Sequence, residues 1–160
     1  MPRYSIASPV YESLSDSFTT GRHGRPSVAA MDITPQSTVV EIVAVDLDRS
    51  LEFYRLLGLT VPDPDGPHVE VTLPGGNRLA FDTEDVIAGM HPGWTPPSGP
   101  GRVAIAFGFT GPDAVDAMYE RLTRAGYPGP LEPFDAPWGQ RYATVEDPDG
   151  TSVDLFAPLP

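Results

Sequence analysis

The sequence predicts an α+β domain of two tandem β-α-β-β-β modules, which together form a curved eight-stranded sheet with a concave ligand cup. Alternating runs at 141–146 and 151–156 flank a Pro-Asp-Gly turn, which indicates a β-hairpin. The turn and strand at 148–155 repeat a similar run at 74–81. A buried strand followed by an amphipathic helix also occurs twice. A duplicated module explains all three observations.

Length and composition favour one folded domain. The chain has 160 residues, 40% of them hydrophobic, which is enough for a sizeable core or for two half-domains that share one. Residues 1–35 are rich in Ser, Thr, Pro, Gly and Arg and have no strand or helix period. We expect an N-terminal extension there, either flexible or docked on a neighbour. The folded domain is predicted at 36–160, with modules at about 36–98 and 99–160.

The first module begins with a buried strand at 38–46, interrupted by Glu41. Asp48 is the predicted N-cap of a helix at 48–57, and Gly58 follows at its end. A short strand is expected at 59–62, and alternation predicts two more at 68–73 and 78–82. The connector at 83–101 contains a Pro- and Gly-rich run and cannot be regular throughout.

The second module repeats this plan. It has a buried strand at 103–109, a helix capped by Asp113 and ended by Gly126, a short segment near Leu131, and the final hairpin. The first strands align at an offset of 63, with Glu41 on Ala104, and the helices at an offset of 65. A helix covers only one face of each sheet, so the other face is left for a ligand.

Charge and residue types exclude several classes of function. The net charge of −12 and the lack of a basic cluster argue against nucleic acid as a partner. The absence of cysteine excludes disulfides and thiolate chemistry. No apolar run approaches the ~20 residues of a membrane span, and the N-terminus lacks the pattern of a signal peptide. We therefore expect a soluble, cytoplasmic protein with no membrane partner.

Several segments resemble the vicinal oxygen chelate superfamily, which includes glyoxalase I, extradiol dioxygenases, and fosfomycin and bleomycin resistance proteins. The resemblance covers about residues 37–158 and includes the paired modules. Its motifs are IVAVD at 42–46, SLEFY at 50–54, LGL at 57–59, DPDG at 147–150 and VDL at 153–155. It implies the fold named above and a homodimer.

The resemblance also implies where a metal would be held. Enzymes of this superfamily take ligands from the first and fourth strands of each module, and the matching positions here are Glu41, Ala80, Ala104 and Asp154. Two of these are alanines, which have no donor atom, whereas such an ion needs at least three protein ligands. The sequence therefore predicts neither a metal nor another cofactor. An unusual site made by Glu41 with His68 and Glu70 is the alternative.

Strand alternation predicts the lining of the cup. In the fifth strand Ala104, Ala106 and Gly108 face the cup, and the residues between and beside them, including Val103, face the helices. Trp138 either stacks on a ligand ring at the rim or closes a sheet edge. His91 and Trp94 either fold over the mouth or anchor the connector. The predicted ligand contacts are Glu41, His68, Arg78, Ala104, Trp138, Tyr142, Asp154 and Phe156.

These features favour a binding protein over an enzyme. We expect a protein of the bleomycin-resistance type that sequesters an antibiotic or related aromatic metabolite without a metal, and we assign no catalytic residue. The alternative is a metal-dependent lyase, isomerase or dioxygenase of the same superfamily. Glu41 and Asp154 are then the candidate acid/base pair.

Overall fold

The computed structural model describes residues 37–99 and 101–160, so the predicted extension at 1–35 lies outside the described residues. This part of the chain contains seven strands and three helices. In chain order they are β1 (Val39–Ala44), α1 (Leu47–Leu56), β2 (His68–Thr72), β3 (Arg78–Thr83), α2 (Glu84–Met90), β4 (Ala104–Gly108), α3 (Pro112–Arg124), β5 (Leu131–Ala136), β6 (Gln140–Glu146) and β7 (Ser152–Pro158).

The strands form two sheets with matching topology. The first has the order β1-β3-β2 and the second the order β4-β7-β6-β5. In each sheet the first strand of the module is parallel to the last, and the remaining pairs are antiparallel. The predicted α+β class and the final hairpin are therefore confirmed, but the strands are divided between two sheets rather than joined in one of eight.

The predicted strand at 59–62 is wrong, because these residues have no regular structure. Their carbonyl groups bond to the preceding helix instead of to a neighbouring strand. The Arg55 guanidinium donates to the Val61 carbonyl at 3.3 Å and to the Pro62 carbonyl at 2.7 Å. Pro62 also has no N–H to donate to a ladder.

The two modules share one hydrophobic core. Leu51, Phe53 and Tyr54 of α1 and Leu79 and Phe81 of β3 are buried together with apolar residues of α3, β6 and β7. In both sheets, alternate residues point into this core and the residues between them lie on the opposite face. That opposite face is the one available to a ligand.

Both predicted helix caps are displaced by two residues. The N-cap of α1 is Asp46, whose side chain accepts a hydrogen bond from the Arg49 N–H, rather than Asp48. The N-cap of α3 is Gly111 rather than Asp113. Asp48 and Asp113 lie instead in the first turns, where an acidic side chain is favoured by the helix dipole. Helix α2, inside the predicted connector, was not anticipated.

The Asp147-Pro148-Asp149-Gly150 turn of the hairpin anchors the second sheet to the first module. Asp147 is buried and accepts hydrogen bonds from the Tyr54 hydroxyl of α1 at 3.0 Å and from the Thr151 N–H at 2.7 Å. Burial raises the pKa of Asp147, and burial together with the Asp147 carboxylate raises the pKa of Tyr54. The motif therefore has a structural role across the module boundary.

The second carboxylate of the turn strengthens this connection. Asp149 accepts a hydrogen bond from the Val45 N–H at 2.8 Å and another from the Ser50 hydroxyl. Val45 follows β1 and Ser50 lies in α1, where it is fully buried. The hairpin turn at 147–150 therefore bonds to the junction between β1 and α1.

Within the described ranges, no helix is both long enough and apolar enough to cross a membrane.

Candidate functional site

The face of the first sheet that lies away from the core, called here the first-module face, carries mostly charged and polar side chains. Because Ile42, Val69 and Phe81 point into the core, their neighbours in each strand lie on the opposite side. The residues of this face are Glu41, Val43, His68, Glu70, Thr72, Arg78, Ala80 and Asp82.

Asp82 lies at the centre of this face and connects two other titratable groups. The Asp82 side chain is 5% exposed, and its Oδ1 is 2.9 Å from Nδ1 of His68, whose side chain is 37% exposed. The neighbouring Asp82 carboxyl group, with a further contribution from burial, raises the pKa of Glu41. Asp82 therefore bonds to the His68 imidazole and lies near a second carboxyl group.

Arg78 and Glu70 form a second pair on the same face. The Arg78 Nη1 is 2.9 Å from the Glu70 Oε1, and both side chains are partly buried. This pair neutralises its own charge. Arg78, a predicted ligand contact, is thus already bonded to a carboxylate.

An open pocket of about 580 Å³ lies beside Glu41. It is bounded by Val43 of β1, Ile87 of α2, and by His91 and Trp94 from the turn after α2. The connector therefore folds back next to the first strand and brings an imidazole and an indole to Glu41.

The corresponding face of the second sheet, called here the second-module face, has a floor of small residues. Ala104, Ala106 and Gly108 are exposed along β4, as alternation predicted. A Cβ at Gly108 would lie 3.1 Å from the ring of Phe156, so glycine lets that ring lie over the strand. The other residues of this face are Tyr142, Thr144, Glu146, Ser152 and Asp154.

Val103 was expected to face the helices, and this is wrong. It lies before β4 begins and is 68% exposed. Ile105, Phe107 and Phe109 do pack against the core as predicted.

Three aromatic rings form a cluster at the β5–β6 end of this face, with β7 between it and β4. The ring centres of Trp138 and Tyr142 are 5.6 Å apart. The ring centre of Phe134 lies 6.2 Å from that of Trp138 and 6.1 Å from that of Tyr142, and all three pairs of rings meet edge to face. Trp138 is 59% exposed, and its indole N–H donates to Gln140 at 2.9 Å. Phe156 lies opposite Tyr142 in the ladder. A large aromatic surface therefore borders an open strand of small residues.

Sequence reasoning did not identify Phe134. Pro133 and a shift of strand register between Leu131 and Phe134 disturb the alternation of β5. The only available signal was a single aromatic residue four positions before Trp138.

Asp154 is bonded to a hydroxyl group of the same face. The Thr144 hydroxyl donates to Asp154 Oδ1 at 2.8 Å. Burial, followed by the nearby Asp154 carboxylate, raises the pKa of Tyr142 to about 12. Glu41 lies in the first sheet and Asp154 in the second, and the alternative that they form an acid/base pair stays a prediction.

Strand register also corrects the alignment of the two modules. Glu41 pairs with Ala80 in the first sheet, and Ala106 pairs with Asp154 in the second. Since Ala80 and Asp154 are equivalent in the repeat, Ala106 rather than Ala104 corresponds to Glu41. The first strands then align at 65, the same offset as the helices.

Comparison with known proteins agrees with this architecture. Residues 36–155 match the family model described as the Glyoxalase/Bleomycin resistance protein/Dioxygenase superfamily. This chain belongs to that superfamily. No curated protein matches the chain.

Solved structures of the superfamily are similar to this chain. One is a glyoxalase/bleomycin resistance protein/dioxygenase from Nocardioides, with 30% identity, a TM-score of 0.64, and coverage of 82% of this chain and 88% of the other. A superfamily member from Sphaerobacter thermophilus has 25% identity, a TM-score of 0.57, and coverage of 78% and 98%. A glyoxalase-related enzyme from Fulvimarina pelagi shares the fold, with 24% identity, a TM-score of 0.68, and coverage of 78% and 88%.

The residues at the superfamily's metal-ligand positions do not fit a metal ion. Ala80 and Ala104 have no donor atom. The strand register makes Ala106 the equivalent position instead of Ala104, and this residue is also an alanine. In the part of the chain that the structure describes, no three His, Asp, Glu or Cys side chains are grouped so that they could hold a metal. A divalent ion needs such a group. We therefore derive no chemistry through a metal.

Proposed function

We propose that this protein binds a planar aromatic small molecule, an antibiotic or related metabolite, on the second-module face and sequesters it without a metal ion. The observation that carries the proposal is the cluster of Phe134, Trp138 and Tyr142, which Phe156 of β7 connects to the small residues of β4. Such an arrangement offers both a stacking surface and space for a ring system.

The energetics of aromatic contacts support this proposal. A ring that packs against an aromatic side chain gains about 0.5–1.5 kcal/mol beyond the burial of its area. Ala104 and Ala106 place no bulky side chain in its way, and the Phe156 ring over Gly108 adds a further aromatic surface. The hydroxyl of Thr144 and the carboxylate of Asp154 give the ligand polar groups to bond with, which sets its orientation.

Charge supports the narrower proposal that the ligand is cationic. The chain has a net charge of −12, and Asp154 lies on the proposed binding face. A cationic group near the exposed Trp138 would also gain from interaction with the face of the indole ring.

We propose in addition that two copies form a homodimer. β1 and β4 each stand at the end of their sheet order, so each pairs through one side among the described residues. Val39, Val40 and Val103 near these edges are exposed hydrophobic residues. Pairing of two copies along the edges would cover them. Light scattering tests this, and a mass of about 17.2 kDa in solution would contradict it.

Equilibrium dialysis against an anthraquinone and against bleomycin tests the proposed binding. We expect Trp138→Ala to weaken binding of the responsive ligand by roughly 30-fold, the effect of losing about 2 kcal/mol. The matched control is Trp94→Ala, which removes the only other tryptophan of the sequence, from the first-module pocket.

Three results would contradict the proposal. The first is equal loss of affinity in both tryptophan variants. The second is binding or turnover that depends on added metal, and the third is about one tightly held metal ion per chain in elemental analysis. The last two would favour an enzyme of the same superfamily.

A further inference from the structure

The tetrapeptide Asp-Pro-Asp-Gly occurs at 63–66 and again at 147–150. The bond between Asp and Gly is chemically labile, because glycine has no side chain to hinder attack by its backbone nitrogen on the preceding side-chain carboxyl group. This attack closes a five-membered succinimide ring and releases one water molecule. The reacting residues are identical in the two copies, so a difference between them reports on the local structure.

The second copy holds both reacting groups in hydrogen bonds. The Asp149 carboxylate accepts from the Val45 N–H at 2.8 Å and from the Ser50 hydroxyl. The Gly150 N–H, whose nitrogen would attack, donates to the Asp147 carbonyl at 3.1 Å. Both groups must leave these partners before a ring can close. The fold therefore protects the bond between Asp149 and Gly150.

The first copy lacks these restraints. Every residue from 62 to 67 is exposed. Within residues 37–99 and 101–160, neither the Asp65 carboxyl nor the Gly66 N–H is bonded to another residue. The Asp63 carboxylate accepts from the Arg55 guanidinium at 3.1 Å, which fixes the start of the tetrapeptide but not its Asp-Gly bond. The Asp65 carboxyl and the Gly66 nitrogen can therefore approach each other.

We propose that Asp65 is a site of isoaspartate formation, and that the modified residue is a substrate for an isoaspartyl methyltransferase that uses S-adenosylmethionine. Such a modification site lies outside both module faces, and the proposal does not depend on the ligand binding proposed above. Exposed loops with small and polar residues are also the places where an enzyme can reach the backbone.

The chemistry of the modification balances without an oxidant or reductant. The Gly66 nitrogen loses its proton and bonds to the Asp65 Cγ, which loses its hydroxyl group, so one water leaves. Water then opens the ring at either carbonyl carbon. Opening at the backbone carbonyl leaves the chain linked through Cγ and frees an α-carboxylate. That carboxylate attacks the methyl group of S-adenosylmethionine, which gives a methyl ester, and S-adenosylhomocysteine leaves.

The modification would lengthen the main chain immediately before β2. An isoaspartyl linkage adds one carbon atom to the backbone between residues 65 and 66. The next residue, Pro67, accepts a hydrogen bond at its carbonyl from the Thr83 N–H at 3.2 Å, and β2 begins at His68. The added atom therefore lies at the end of β2 where His68 bonds to Asp82.

Gly66 can be replaced without strain, which gives a variant that removes the reaction. Gly66 is not among the glycines with positive φ, and a Cβ there would have no heavy atom within 4 Å. Gly66→Val should therefore fold normally, while its branched side chain hinders attack by the backbone nitrogen. Gly150 has a φ of 79°, so the unfolded chain is a better control for the second copy than a substitution.

Peptide mapping of the full-length protein after several weeks at neutral pH tests the proposal. The sequence has no lysine, and trypsin cleavage after arginine places the first copy in peptide 56–78 and the second in the peptide that begins at Tyr142. Mass spectrometry with electron-transfer fragmentation identifies isoaspartate in each peptide. We expect isoaspartate, and methyl transfer from labelled S-adenosylmethionine by an isoaspartyl methyltransferase, in peptide 56–78. The second peptide should remain at background, and Gly66→Val should lose the signal.

The same incubation in guanidinium chloride isolates the effect of the fold. Unfolding removes the bonds of Asp149 and Gly150, so we expect isoaspartate in both peptides. The proposal would be overturned by equal amounts in the two peptides of the folded protein, by none in peptide 56–78, or by an undiminished signal in Gly66→Val. Reaction of only the first copy in the unfolded chain, or an isoaspartyl residue that the methyltransferase leaves unlabelled, would also overturn it.

Discussion

The two module faces have the same strand topology but different chemistry. The first carries Glu41 and the bonded pair of Asp82 and His68, and the second carries small residues on β4 and aromatic rings on the other strands. Glu41 and Ala106 hold equivalent positions of the repeat, as do Ala80 and Asp154. A duplicated fold thus fixes the positions of side chains while leaving their chemistry free to diverge.

The lack of a metal-binding set among residues 37–99 and 101–160 follows from the same comparison. Each sheet has one carboxylate and one alanine at these two paired positions. Glu41 pairs with Ala80 in the first sheet, and Asp154 pairs with Ala106 in the second. Asp154 accepts a hydrogen bond from Thr144, and Glu41 lies near the Asp82 carboxyl group, which raises its pKa.

Filling the floor of the second-module face should have the largest effect. Ala106→Leu would place a branched side chain where we propose that the ligand ring lies, and we expect its Kd to increase on the order of 100-fold. Ala106 is exposed, so the fold should be retained. The matched control is Thr72→Leu on the exposed part of the first-module face, and dialysis gives both affinities. Equal effects of the two substitutions would contradict the proposed division of roles.

Removing the hydroxyl of Tyr54 should weaken the connection between the modules. Tyr54→Phe leaves the buried Asp147 carboxylate without one of its donors, and we expect the free energy of unfolding to fall by about 1–3 kcal/mol. Urea denaturation measures it. Tyr119→Phe is the control, because its hydroxyl bonds to Gly129 within the second module and is only partly buried. A smaller loss for Tyr54→Phe than for the control would be inconsistent with this role.

Asp147 should give stability a defined pH dependence. Because burial raises its pKa in the folded state, the folded chain holds this proton more tightly than the unfolded chain. The stabilising contribution is complete below the unfolded pKa and is lost as pH rises through the folded one, with a slope of at most about 1.4 kcal/mol per pH unit. Subtracting the Asp147→Asn curve from the wild-type curve isolates it. A difference that does not change with pH would contradict the expected sign.

The smallest predicted effect concerns Tyr142. Its pKa is raised to about 12, chiefly by burial and then by the Asp154 carboxylate. Asp154→Asn should lower the pKa only partly, because the burial remains. Ultraviolet titration of tyrosinate absorbance follows the change. A return to the ordinary tyrosine value would show that Asp154, rather than burial, is the main cause.

Patterns local in the sequence were the ones that could be predicted. The final hairpin, the glycines that end both main helices and the face of β4 were predicted correctly, since each depends on neighbouring residues. Gly58 and Gly126 adopt the positive φ angles, 102° and 95°, that such helix ends favour.

Contacts between distant residues were not predictable in the same way. The bond between Asp82 and His68 depends on a strand order that the sequence does not state. Similarly, the bonds from Tyr54 and Ser50 to the final turn join residues almost a hundred positions apart. Phe134 was missed because a bulge interrupts the period of β5.

The central claim is that an aromatic ligand binds to the second-module face and not to the first. The two tryptophans of the sequence, Trp94 and Trp138, report on the two faces separately. The decisive measurement is a fluorescence titration of the Trp94→Phe and Trp138→Phe variants with the aromatic ligand identified by dialysis. We expect saturable quenching when Trp138 is the remaining fluorophore and almost none when only Trp94 remains. Quenching confined to Trp94 would contradict the claim.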